Sequence, residues 1–201
     1  MAIDKNSKHK VVQQKLKEQV DKGIAAATKQ QGVCILLTGD GKGKSSSAFG
    51  MVMRSLGYGR KVGIIQFIKG QQLSGEEIFI KNNYPELPFY QMGTGFTWDT
   101  QDRQSDISAA ITAWQEAEKL LTNPDIDLVI LDELTYMLAF DYLKESTIIN
   151  AIQQRPSQQS VVVTGRGGGS ALRSIADTVA EVKNVKHAYD VGIQAQKGVD
   201  F

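Results

Sequence analysis

From Leu36 to Ser46 the chain reads Leu-Leu-Thr-Gly-Asp-Gly-Lys-Gly-Lys-Ser-Ser. An apolar stretch that enters a glycine-rich turn and leaves through Gly-Lys-Ser requires a strand, a tight loop and a helix, in that order. Gly39, Gly41 and Gly43 free the backbone to aim successive N–H groups inward, and the following helix adds its positive end. The segment therefore reads as a phosphate-binding loop. Lys44 brings a mobile positive charge to phosphate oxygens, and Ser45 a hydroxyl able to ligate Mg²⁺. Its spacing departs from the usual G-x-x-x-x-G-K-[ST]: the residue five before Gly43 is Thr38, and the nearest upstream glycine, Gly39, stands one position too close. A loop so altered can hold a different phosphate, or hold the nucleotide the other way round, and so leaves room for chemistry other than hydrolysis.

Around this loop, short apolar strands alternate with helices. The pattern predicts strands over 32–37, 61–67, 89–92, 127–131, 160–163 and 182–187, and helices over 44–56, 105–121, 146–154 and 171–180. Such alternation implies an α/β fold, a mostly parallel sheet flanked by helices, whose ligands bind at the carboxyl edge of the strands. Ahead of it, Val12, Leu16, Val20 and Ile24 recur every four residues, which predicts a helix over about 8–29. Seven lysines stand against Asp4, Glu18 and Asp21 in the first thirty residues. This is either a solvated helix face or a basic arm near an anionic ligand. The expected organisation is an N-terminal basic helical arm, 1–30, and a nucleotide-binding α/β domain, 31–201.

Composition narrows the partners. The 201 residues are 41% apolar, enough for one domain to bury a core without metals or disulfides, and the formal charge is only +1. Nothing global recruits nucleic acid or a membrane. The single cysteine, Cys34, falls in an apolar strand and reads as a small buried thiol. No run approaches the roughly 20 apolar residues of a membrane span, and the first residues lack the apolar core of a signal peptide, so a cytoplasmic protein is expected.

Three further segments carry chemistry. Leu128-Val129-Ile130-Leu131-Asp132-Glu133 is a buried strand ending in two acids. Beside a phosphate loop, Glu133 or Asp132 would stand near the metal, and in a hydrolase one of them would activate water. Thr164-Gly165-Arg166-Gly167-Gly168-Gly169-Ser170 follows another apolar strand, so Arg166 either reaches the phosphates or decorates a turn. Gly93-Thr94-Gly95-Phe96-Thr97-Trp98 places two large aromatics in a glycine-flanked stretch, where they pack on the core or cover a flat ligand. His9 and His187 are isolated and read as structural or surface residues.

Taken together, Thr38 to Ser45, Val62-Gly63-Ile64-Ile65-Gln66-Phe67-Ile68-Lys69-Gly70, Gly95 to Trp98, Leu131-Asp132-Glu133-Leu134 and Thr164-Gly165-Arg166-Gly167 resemble the P-loop corrinoid adenosyltransferases. The resemblance runs to Gly192-Ile193-Gln194-Ala195-Gln196-Lys197-Gly198. It implies a RecA-like fold that forms homodimers and moves the adenosyl group of ATP to Co(I) of a reduced corrinoid, cobalamin or cobinamide, releasing triphosphate. The place of such an enzyme is adenosylcobalamin biosynthesis or salvage. ATP would lie reversed in the loop. Thr38, Gly39, Asp40, Gly41, Lys42, Gly43, Lys44, Ser45 and Ser46 would hold it, with Arg54 and Arg166 counted beside them. Ser45 and Glu133 would serve Mg²⁺ or Mn²⁺. Lys44, Phe96 and Trp98 would act in the reaction, the two aromatics by keeping the axial base off cobalt. The N-terminal helix resembles the segment that closes over the corrinoid, and a flavodoxin-like or flavin-dependent donor would supply the electron. The loop departs from the family in two residues, Asp40 for the commoner asparagine and Ser45 for threonine, and Asp40 calls for Lys42 or Mg²⁺ to offset its charge.

Co(I) is a strong nucleophile with no proton to lose, so attack on the primary ribose carbon needs no general base. An ordinary RecA-like P-loop ATPase or kinase accounts for the loop and the acids, but not for Phe96, Trp98 or the shortened glycine spacing. A nucleotide-sensing or single-strand-binding module calls for a basic, aromatic-lined groove, against which the near-neutral charge argues.

Overall fold

The computed structural model describes residues 5–68, 73–92, 102–167 and 169–201. Residues 1–30 and 31–201 form two separate compact units. In the first, helix α1 (Lys5–Ala26) stops three residues short of the expected end, and Val12, Leu16, Val20 and Ile24 along it are all exposed.

The second unit opens with β1 (Cys34–Thr38), α2 (Lys44–Gly57), β2 (Val62–Gln66), α3 (Gly75–Asn83), β3 (Phe89–Gln91) and α4 (Arg103–Thr122). It continues with β4 (Leu128–Asp132), α5 (Thr135–Ala139), α6 (Glu145–Gln154), β5 (Ser160–Thr164), α7 (Ser170–Ile175) and β6 (Thr178–Glu181), and a 3₁₀ turn at Ala188–Val191. The strands lie in the order β3-β2-β4-β5-β1-β6. Every pairing is parallel, so the expected mostly parallel sheet is parallel throughout.

Successive strand side chains point to opposite faces, which is why nearly continuous apolar runs are needed. Leu37, Ile64, Ile130 and Val162 pack on one face against Ala48, Phe49 and Val52 of α2 and Ile80 of α3. Leu36, Ile65, Val129, Leu131, Val161 and Val163 pack on the other, against Trp114 and Leu121 of α4, Ile148 and Ile152 of α6 and Leu172 of α7. Cys34 is buried there as a free thiol, as expected, and burial is the first cause that pushes it up to about 11.

Two sequence expectations fail near the end of the chain. The helix expected over 171–180 is the short α7, and the strand expected over 182–187 is β6, four residues earlier. Asp177 decides both: its carboxylate accepts the Cys34 N–H at 2.7 Å, and its own N–H donates to the Cys34 carbonyl at 2.9 Å. That pair of bonds ends the helix and starts an edge strand. Because β6 is exposed along its whole length, no hydrophobic alternation announces it. Helices α3 and α5 carried no periodic signal either. The first is set by its cap, Ser74, whose hydroxyl accepts from the Glu77 N–H, and the second is a single turn.

The loop after β1 leads to α2 on one face, and the loop after the neighbouring β5 leads to α7 on the other. Between two such strands the connections diverge and leave a crevice at the carboxyl edge. The Thr38 hydroxyl closes its floor by donating to the Gly167 carbonyl at 2.7 Å.

Candidate active site

A cleft of about 960 Å³ opens at this edge. The loop residues Asp40 to Ser46 form its base, Asp132, Glu133, Tyr136 and Arg166 its centre, Ser74 and Glu76 one wall, and residues between 184 and 201 the other. Most of the expected site residues thus come together. Thr38 and Gly39 lie beneath the cleft, not in its lining. Arg54 sits exposed in the last turn of α2 and does not reach it. Phe96, Trp98 and Gly168 lie outside the described residues.

The loop glycines supply the backbone freedom expected of them at Gly39 and Gly43, and two of them also admit a close neighbour. A side chain on Gly39 would strike the Val182 carbonyl, and one on Gly41 would come within 2.6 Å of the Lys183 carbonyl. The Gly41 N–H is spent on Val182 O at 2.8 Å, and the Val182 N–H on Thr38 O at 2.8 Å. These two glycines therefore admit the chain that leaves β6 at Val182 and Lys183. Gly39 (φ 99) and Gly43 (φ 120) both take the left-handed backbone that glycine permits, and Gly43 supplies the turn that starts α2. The donors open to an anion include the first N–H groups of α2, which opens at Lys44.

Lys44 is buried, and its Nζ donates to the Gly41 carbonyl at 2.9 Å across the loop. Burial pulls its ammonium below the ordinary lysine range, while Glu133, the next largest influence, pushes it back up. Lys42 does not offset Asp40. It pairs with Asp200 at 2.8 Å, and both side chains are part exposed. His187, read from the sequence as structural or surface, lines the cleft, and its Nδ1 accepts the Tyr189 N–H at 3.1 Å. These wall residues were missed because the only signal in their segment, the resemblance at Gly192 to Gly198, assigned them no role.

The two acids after β4 have separate environments. Asp132 is buried, and both its oxygens are committed: Oδ1 accepts from the Thr164 hydroxyl at 2.6 Å, and Oδ2 from Gln66 Nε2 at 2.9 Å. Glu133 is held with φ 59, a left-handed backbone that side-chain-bearing residues adopt at a cost, and its N–H donates to Thr164 Oγ1 at 2.9 Å. Its Oε2 is buried without a hydrogen-bond partner. Burial first, then the neighbouring Asp132, push its carboxyl up to about 7, with Lys44 and Arg166 pulling the other way.

A buried carboxylate oxygen lacking a donor, on a residue that lines a polar cleft together with Ser45, fits a divalent cation. No cluster of three acidic, histidine or cysteine ligands exists among the described residues. A cation here would draw its other ligands from phosphate oxygens and water, the habit of Mg²⁺.

The sequence of residues 30–201 matches the model of the family described as ATP:corrinoid adenosyltransferase BtuR/CobO/CobP. A corrinoid adenosyltransferase of Pseudomonas aeruginosa is 50% identical over 198 residues, spanning 98% of both chains. One from Escherichia coli K12 is 47% identical over 94% of this chain and 95% of its own. The corrinoid adenosyltransferase CobA of Salmonella typhimurium is 46% identical over the same shares. With agreement of this extent running nearly end to end, the chain belongs to the ATP:corrinoid adenosyltransferase family.

Proposed function

We propose that this chain transfers the adenosyl group of ATP to Co(I) of a reduced corrinoid and releases inorganic triphosphate. The observation that carries the reading is the likeness along nearly the whole chain to corrinoid adenosyltransferases. That likeness also sets aside the ATPase or kinase alternative. The cleft supports it with a glycine loop, a buried lysine and a carboxylate oxygen that has no protein partner.

The RecA-like P-loop reading rests on the strand, loop and helix at 34–57 and on the acid-bearing strand β4 ending at the same edge. In it, the first N–H groups of α2 and the Lys44 ammonium bind the triphosphate. Ser45 and Glu133 hold a divalent cation, Mg²⁺ or Mn²⁺, which when bound neutralises charge on the polyphosphate. Arg166 reaches over the cleft toward the same phosphates. A reversed ATP turns its ribose carbon, not phosphorus, toward the nucleophile. The cobalt lone pair forms the Co–C bond while the C5′–O bond breaks, and that electron pair leaves with triphosphate. Lys44 and the amides stabilise the charge that grows on the leaving group, a contribution of several kcal/mol in comparable sites. Phe96 and Trp98 keep the axial base and water off cobalt, which eases reduction from Co(II).

The same reading makes the protein a cytoplasmic homodimer, served by a flavodoxin-like or flavin-dependent electron donor. No described helix is long and apolar enough to cross a membrane. The deciding experiment is anaerobic: protein, Mg-ATP and reduced cobalamin are mixed, the cobalt spectrum is followed, and the phosphate product is identified. A cobalt–carbon bond with triphosphate is expected. ADP or phosphate without that bond would reject the transferase.

A further inference from the structure

The parallel register places Gln66 beside both Gln91 and Asp132, at the last positions of β2, β3 and β4. One residue beyond the Leu131–Val163 pair, Asp132 meets Thr164 at the end of β5. Four strand ends thus carry polar side chains in one row, and hydrogen bonds follow it. Gln91 Nε2 donates to Gln66 Oε1 at 2.8 Å, Gln66 Nε2 to Asp132 Oδ2 at 2.9 Å, and the Thr164 hydroxyl to Asp132 Oδ1 at 2.6 Å. Thr164 in turn accepts the Glu133 N–H. At the outer end, Gln91 Nε2 also donates to Glu77 Oε2 at 2.8 Å, and Lys81 donates to Glu77 Oε1 at 2.7 Å.

The row is buried where it matters. Gln66, Asp132, Thr164 and Glu77 are each at most 5% exposed. Polar groups in such a place cost stability unless bonded, and apolar residues would fill a sheet edge more cheaply. Its inner end explains the row. Glu133 is the residue with a left-handed backbone and a spare buried oxygen, and the main-chain bond that fixes it comes from Thr164, itself held by Asp132. Asp132 is held in turn by Gln66.

We propose that Gln66 is a positioning residue for the metal-binding carboxylate: through Asp132 and Thr164 it fixes the backbone of Glu133, and through Gln91 and Glu77 it ties that acid to α3. This rests on the assignment of Glu133 as a cation ligand. Helix α3 begins beside Ser74 and Glu76 in the cleft wall, so the row joins that wall to the acid. Outer partners of metal ligands commonly cost 10–100-fold in metal affinity or activity when removed, about the range expected here.

The test uses the full chain with inorganic triphosphate and Mn²⁺, the bound metal being read by electron paramagnetic resonance. In Gln66→Leu, Mn²⁺ binding to the triphosphate complex should weaken by about tenfold or more, whereas metal-free triphosphate binding, held by Lys44 and the α2 amides, should stay within about twofold. Lys81→Ala, at the exposed outer end, should leave both unchanged. If Gln66→Leu fails to fold, Gln91→Leu decides, since it unhooks only the outer side of Gln66; a loss of about threefold in Mn²⁺ affinity alone is expected. Unaltered Mn²⁺ affinity in a folded variant, or equal loss of metal and metal-free triphosphate binding, would overturn the proposal. Failure of the unsubstituted protein to bind Mn²⁺ with triphosphate, or Mn²⁺ binding that survives Glu133→Gln, would instead reject Glu133 as ligand.

Discussion

Glu133→Gln should make the ligand-free protein more stable while removing the proposed cation ligand. Burial and Asp132 raise the Glu133 carboxyl from the ordinary 4.5 to about 7. Because the folded state holds this proton more tightly than the unfolded chain, the group's stabilising contribution is complete below about 4.5 and is lost as the pH rises through about 7. At roughly 1.4 kcal/mol for each pH unit, the ionised side chain costs the folded protein about 3 kcal/mol at pH 8. Glutamine has nearly the same shape and no charge to desolvate, so most of that cost disappears. For a chain of this size the gain corresponds to about 5–10 °C in Tm at pH 8, shrinking toward nothing near pH 5. Thermal unfolding of both proteins across pH 5 to 8, without nucleotide or metal, measures it. Adding Mg-ATP should raise the Tm of the unsubstituted protein by more than that of the variant, because a ligand stabilises only the state that binds it. A variant equally or less stable at pH 8, or a stability gap independent of pH, would refute the reasoning about burial. A site that evolution keeps at a cost in stability is expected where charge must meet a ligand.

Other perturbations follow from the same geometry. Asp200→Asn removes the anion that lies on Lys42; ATP binding, measured by calorimetry, should tighten about two- to fivefold at low salt and lose that advantage as salt rises. Gly41→Ala brings a methyl within 2.6 Å of the Lys183 carbonyl, so the loop or the chain after β6 must shift; a loss of about 1–3 kcal/mol in denaturant unfolding is expected, together with weaker ATP binding. Trp98→Ala should leave ATP binding nearly unchanged yet slow adenosylation strongly when the reaction starts from Co(II), and far less from chemically prepared Co(I). Equal slowing in both assays would dismiss a role for Trp98 in keeping cobalt free of its axial ligand.

Much of this protein was legible in the chain itself. Short apolar runs such as 128–131, alternating with helical stretches, read as strands buried on both faces, and the turn from Thr38 to Ser45 reads as a strand-to-helix join, so the α/β class and the cleft's location follow from local pattern. The acids at 132–133 were visible as a pair, but not which of them is open. That was decided by Gln66 and Thr164, on strands 66 and 32 residues away from Asp132 along the chain, which occupy both its oxygens and leave Glu133 with one free. Likewise the loop glycines looked alike in sequence. Contact with Val182 and Lys183, which no local pattern encodes, makes Gly39 and Gly41 serve close packing as well, while Gly39 and Gly43 both use a positive φ and Gly43 makes the turn into α2. Edge strand β6 and the wall beyond it were hidden for the same reason: their place is set by hydrogen bonds to β1 and to the loop, not by burying a periodic apolar face. Periodicity reports which residues leave water; pairings between distant strand ends exist only once the sheet has formed.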